Sequence, residues 1–111
     1  MKKIEAIIQS DKQQAVIDAL IAQNVGGITI TRCLGRGAGE RPRIGGHKGE
    51  EIKYNAIDTI VTIVDDSKAD SVTSAISKAA FTGKKGDGKI FISTIDEAVD
   101  IFTKEKGTKA L

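Results

Sequence analysis

Hydrophobic and polar positions change period several times along the chain. Residues 3–8 alternate, with Ile4, Ala6 and Ile8 on one face, and predict a strand. Ser10 follows, and Gln13 three residues on predicts a capping box opening a helix through QQAVIDALIAQN. Asp11 suits the positive end of that helix. Val16, Ala19 and Leu20 form its apolar stripe, and Asn24 with Gly26-Gly27 ends it. Residues 27–34 predict a second strand, with Ile28, Ile30 and Leu34 facing one way and Thr29, Thr31 and Cys33 the other. Residues 57–64 (IDTIVTIV) are the most strongly β-forming run, stopped by Asp65-Asp66. Ser67 with Asp70 repeats the capping pattern. Ala69, Val72, Ala75, Ile76, Ala79 and Ala80 then fall on one face of a second helix. Residues 89–94 predict a fourth strand, and Thr94 with Glu97 predicts the cap of a short third helix, DEAVDIF. The tail, residues 103–111, is polar and expected to be flexible.

The order is a doubled βαβ unit. It predicts an α+β, ferredoxin-like βαββαβ sandwich over residues 1–111, one domain with a four-stranded antiparallel sheet and both long helices on one face. The third strand offers Ile57, Val61 and Ile63 on one side and Ile60 and Val64 on the other. A sheet apolar on both faces predicts a homo-oligomer that packs sheets together.

Residues 35–54 (GRGAGERPRIGGHKGEEIKY) fit neither period. They hold six of the twelve glycines, the only proline and the only histidine. Arg36, Arg41, Arg43, Lys48 and Lys53 face three acids there, which accounts for the whole net charge of +2. An insert of this length in a small domain is either functional or disordered. The charge is too small, and 4% aromatics without Trp too few, for a nucleic-acid surface. One cysteine excludes an internal disulfide and a multi-cysteine metal site. No run is apolar enough for a membrane span, and Glu5 interrupts any signal-peptide core, so a cytoplasmic protein is expected.

Two glycine-rich turns, GRGAG at 35–39 and GKKGDGK at 83–89, each touch a strand end. Unobstructed amides and lysines can cradle phosphate. The second turn is no Walker motif, because it lacks the GK[ST] ending and leads into a strand. His47 has no partners at ligand spacing, and Cys33 has no adjacent base. Ser10, Ser67 and Thr94 read as helix caps. No triad, metal cluster or acid–base pair emerges, so no enzyme is predicted.

The opening MKKIEAII, the long loop after the second strand and, above all, TGKKGDGKIFIST resemble the PII signal-transduction family over nearly the whole chain. The resemblance implies a homotrimer with its sheets facing inward and ATP or ADP bound in clefts between subunits. It implies nucleotide contacts from Ile7, Gly27, Thr29, Gly35, Gly37, Ala38, Ile63, Gly86, Asp87, Gly88 and Lys89. Residues 35–56 would be the protruding T-loop. Arg41, Arg43, Ile44, Lys48 and Tyr54 would meet a partner such as an ammonium transporter or a nitrogen-metabolism enzyme. The chain also departs from the family. Gly39 stands where a glutamine helps hold magnesium and 2-oxoglutarate, and Ile57 where a lysine binds the 2-oxoglutarate carboxylate. Asp100-Ile101-Phe102 replaces an Arg-x-Arg pair that holds phosphate, a reversal of sign. The resemblance with these changes implies a non-canonical regulator that binds nucleotide, with 2-oxoglutarate sensing altered. The alternative is a trimeric interaction or scaffold protein that kept the fold and lost the ligands.

Overall fold

The computed structural model describes every residue except 38–42, 45–49 and 52–53. Its elements are β1 (Lys2–Gln9), α1 (Gln13–Ala22), β2 (Thr29–Gly35), β3 (Arg43–Ile44), β4 (Glu50–Glu51), β5 (Asn55–Val64), α2 (Ala69–Ala80) and β6 (Gly88–Thr94). Four strands form one antiparallel sheet in the order β2-β5-β1-β6. β3 and β4 pair separately, within the segment joining β2 to β5. This is the expected ferredoxin-like α+β arrangement.

Alternation decides which face is covered. Ile4, Ala6 and Ile8 of β1 are buried with Ile60 and Val64 of β5, against Val16 and Leu20 of α1 and Val72, Ile76 and Ala80 of α2. Each large aliphatic side chain so buried stabilises the fold by about 1.5–3 kcal/mol. Small residues on α2 let it lie close to the sheet. The opposite face, carrying Ile7, Ile57, Val61 and Ile63, has no helix over it, and these four side chains are half-buried.

The helix starts differ from expectation. Ser10–Lys12 form a short 3-10 turn ahead of α1, and no side chain caps either piece. The Ser10 hydroxyl donates to Asp58 Oδ1 at 3.0 Å and Gln13 Nε2 donates to Asp58 Oδ2 at 2.6 Å. A buried carboxylate captures these donors because a charge-assisted bond outweighs a neutral one. Ahead of α2 the cap is Asp65, whose Oδ1 accepts from the Ser67 amide at 2.9 Å and closes a 3-10 turn over Asp66–Lys68. Asn24, just past α1, adopts φ 56°, the left-handed conformation expected of a helix stop.

No third α-helix follows β6. The Ile95 amide donates to the Met1 carbonyl at 3.0 Å, which extends the pairing of β6 with β1 past Thr94. Val99 then bridges Lys106 across a tight turn built on Asp100. A seven-residue helix gains too few internal bonds to compete with that pairing. Residues 107–111, part of the expected flexible tail, include a 3-10 turn over Gly107–Ala110. The chain ends against the α1–β2 connection, where a Cβ on Gly26 would stand 3.0 Å from the Leu111 carbonyl carbon.

Candidate functional site

β1 and β2 end, and β5 and β6 begin, at one edge of the sheet. The turn leading into β6 is held by a carboxylate. Asp87 Oδ2 accepts from the amides of Thr82 at 2.7 Å and Gly83 at 3.1 Å, and Oδ1 accepts from the Thr82 hydroxyl. These bonds, the Thr82 hydroxyl first, hold the Asp87 carboxyl below its ordinary value, so it is ionised at neutral pH. Gln9 Nε2 donates to the Gly86 carbonyl at 3.0 Å and ties the turn to β1. Gly88 has φ 113°, and a Cβ there would overlap the Ile7 carbonyl oxygen. Only glycine fits. Lys84, Lys85 and Lys89 are exposed.

This turn and the base of the long loop enclose a cleft of about 520 Å³. Its apolar wall is Ile7, Ile57 and Phe91, all on the helix-free face, and its cations are Arg36, Lys85 and Lys89. A Cβ on Gly35 would meet the tip of the Ile57 side chain, which would have to turn aside. Among the described lining residues there is no acid. An apolar wall, glycine amides and converging cations suit an anion with a flat apolar part. The described lining does not fit a protein-held magnesium ion, since Asn55 alone offers a side-chain oxygen.

Of the residues singled out from sequence, Ile7, Gly35, Gly37, Gly86, Gly88 and Lys89 come together in this cleft. Asp87 lies beneath it and lines a smaller hollow of about 380 Å³ beside Ile76 and Phe81. Thr29 and Ile63 lie toward the other end of the helix-free face, and Gly27 lies just before β2 at that end. There the Thr62 hydroxyl donates to the Gly27 carbonyl at 2.7 Å, Thr29 pairs with Val61 and Ile63 pairs with Lys3. Thr29 and Gly35 stand six residue steps apart along the strand, a span of roughly 20 Å. Arg43 and Ile44 form β3, and Tyr54, half-exposed, precedes β5. Ala38, Arg41 and Lys48 lie outside the described residues. Sequence reading took in Lys85 within the 83–89 turn but missed Asn55 and Phe91. Phe91 was accessible to it, since it shares a face with Lys89 two positions away.

The nitrogen regulatory protein P-II family model matches residues 1–105. The chain is 42% identical to a nitrogen regulatory protein P-II from Porphyra purpurea, with 100% of both chains covered. It is 40% identical to nitrogen regulatory protein P-II 2 from Methanothermobacter thermautotrophicus, covering 100% of this chain and 97% of that one. A nitrogen fixation nifHD region GlnB-like protein 1 from Methanothermobacter marburgensis is 38% identical, covering 96% and 99%. The chain belongs to the P-II family. The first two of these relatives are named as regulatory proteins, and the chain is a regulator of that class, not an enzyme.

One residue of this P-II chain was not anticipated. Asp58 is fully buried in β5 and accepts from Ser10, Gln13 and Arg32 Nε, the last at 3.1 Å. Burial alone raises its pKa. The bonds from Arg32, Ser10 and Gln13 and the Arg32 charge outweigh that, and the net shift is downward. Asp58 sits one position after Ile57, so the network locks the strand that carries the cleft wall. The signal was legible: Asp58 lies in phase with Ile60, Thr62 and Val64, the buried positions of β5. Among the described residues, no group of three His, Cys, Asp or Glu side chains could hold a metal, and no helix is long and apolar enough to cross a membrane.

Proposed function

We propose that this P-II protein binds ATP or ADP in clefts between subunits of a homotrimer. Occupancy of the cleft sets the conformation of the segment between β2 and β5, which engages a protein target in the cytoplasm. The observation that carries this reading is the cleft itself: two glycine turns, an apolar wall and three cations, with the β2–β5 connection starting at its rim. The split between its residues and the group Gly27, Thr29 and Ile63 supports a site completed by a second copy, and the uncovered apolar sheet face supplies the surface for assembly. By the chemistry of its relatives the target is a nitrogen-metabolism protein, an enzyme or a transporter. Ile57 in the cleft wall offers no charge to a dicarboxylate, so 2-oxoglutarate binds weakly or not at all. Calorimetry with ATP, ADP and AMP tests the reading. Saturable heat with ATP or ADP is expected, without a further response to 2-oxoglutarate. A folded protein that gives no heat with any nucleotide favours the scaffold reading instead.

A further inference from the structure

β2 is an edge strand. Among the described residues it pairs with β5 alone, so its other side presents main-chain N–H and C=O groups to solvent. Its side chains on the helix side of the sheet are Ile30, Arg32 and Leu34, since Arg32 reaches Asp58, which is in phase with the buried residues of β5. The helices leave them uncovered. Ile30 is 42% and Leu34 71% exposed, and the Arg32 side chain is 67% exposed. The strand thus offers an apolar, a cationic and an apolar position in a row, each roughly 7 Å from the next. None of the three lines the glycine-turn cleft.

A charge on a freely moving side chain commonly guards a strand edge against pairing. Arg32 is not of that kind. Its Nε donates to Asp58 Oδ1 at 3.1 Å, and Asp58 is fully buried and fixed in turn by Ser10 and Gln13. The guanidinium is held at that one nitrogen, and among the described residues its two terminal nitrogens have no protein acceptor. A planar fork held in this way is preorganised for a carboxylate. Residues 29–36 carry two arginines and no acid, and Asp58 offsets only one of these charges. Edge-to-edge pairing with a second β2 would set cation against cation, which is destabilising across strands. An acidic strand is the complement.

We infer that the outer edge of β2 docks an extended segment of a partner protein, which adds to the sheet as a further strand. The main chain of the segment pairs with β2, and its Glu or Asp meets the Arg32 fork. Apolar side chains two positions to either side of that acid cover Ile30 and Leu34. The inference does not rest on nucleotide binding.

The test selects random nonapeptides displayed on phage against the immobilised full chain. Enriched sequences are expected to carry an acid with an apolar residue two positions before it and two after it. The most enriched peptide is synthesised and titrated into the 15N-labelled full chain. Amide shifts are expected at 29–35. Kd is expected to rise roughly tenfold or more when the peptide's acid is replaced by its amide, and equally with Leu34→Asp, which leaves Arg32 and Asp58 in place. Arg32→Gln, with its fold checked by the amide spectrum, is expected to have the same effect. No enrichment, enrichment without an acid at that spacing, or shifts confined to other surfaces overturns the inference. A change in the mass of the assembly on Leu34→Asp overturns it as well, by assigning the strip to contacts between copies.

Discussion

Two turns flank β6, one before it and one after, and both are closed by an aspartate that accepts backbone amides. Asp87 gathers the amides of Thr82 and Gly83, and Asp100 those of Phe102 and Thr103. Their surfaces are opposite. The first surrounds its carboxylate with glycines at φ 85°, 97° and 113° and leaves lysines outward. The second bends without glycine at its tip, gives Lys104 a positive φ, and leaves Ile101 and Phe102 outward. The same carboxylate device therefore sets backbone shape without setting chemistry. What the turn presents is decided by the residues it does not use. In the first turn that is an anion cradle; in the second it is an apolar tip.

The comparison breaks most visibly at the glycines. Gly88→Ala places a Cβ on the Ile7 carbonyl in a left-handed conformation. A loss of about 2–3 kcal/mol is expected in denaturant unfolding. Asp58→Asn comes next, since it disturbs three donors around a buried carboxylate. A cost of about 2 kcal/mol is expected, with the β1–α1 turn losing amide-exchange protection.

Acid affects all the carboxylate-built features together. Asp58, Asp65, Asp87 and Asp100 all have folded pKa values below the ordinary 3.8. Each contributes stability that is complete above the unfolded value and is lost as pH falls through the folded one. The thermal midpoint is expected to be level above about pH 5 and to fall steadily below about pH 4. A midpoint that rises on acidification contradicts these assignments. Between the two turns, Asp87→Ala should weaken nucleotide binding roughly tenfold by loosening a preorganised cradle. Asp100→Ala should lower stability by removing the acceptor for the Phe102 and Thr103 amides, while leaving nucleotide binding less affected than Asp87→Ala does. The smallest effect is expected at Gly107→Ala, where φ is 70° but nothing lies within 4 Å of the added methyl. That change costs about 1 kcal/mol, from backbone strain alone.

The sheet and both long helices were legible in the sequence because periods of 2 and 3.6 report directly on burial. Ile4, Ala6 and Ile8, and likewise Val72, Ile76 and Ala80, could be assigned to the core from spacing alone. The caps were not legible, because capping is a competition. Ser10 and Gln13 had a better acceptor in Asp58, forty-eight and forty-five residues away, which no local pattern reveals. Ahead of α2 a 3-10 turn over Asp66–Lys68 intervenes, so the chain needs its cap earlier, and Asp65 supplies it by accepting from the Ser67 amide. The DEAVDIF helix failed because β6 keeps bonding to β1 beyond Thr94 and Asp100 spends its carboxylate on a turn. At the cleft, the glycines and Lys89 were readable as a motif. Asn55 reaches the same space only through the register of β5 against β2, which no local pattern gives.

Amide hydrogen–deuterium exchange with and without saturating ATP tests the central claim most directly, because it reads location as well as binding. Slowed exchange is expected at 35–37 and 82–89, together with slowed exchange at 27–29 and 61–63 supplied by a second copy. Protection at neither group in a folded protein, or protection confined to surfaces away from both glycine turns, contradicts it.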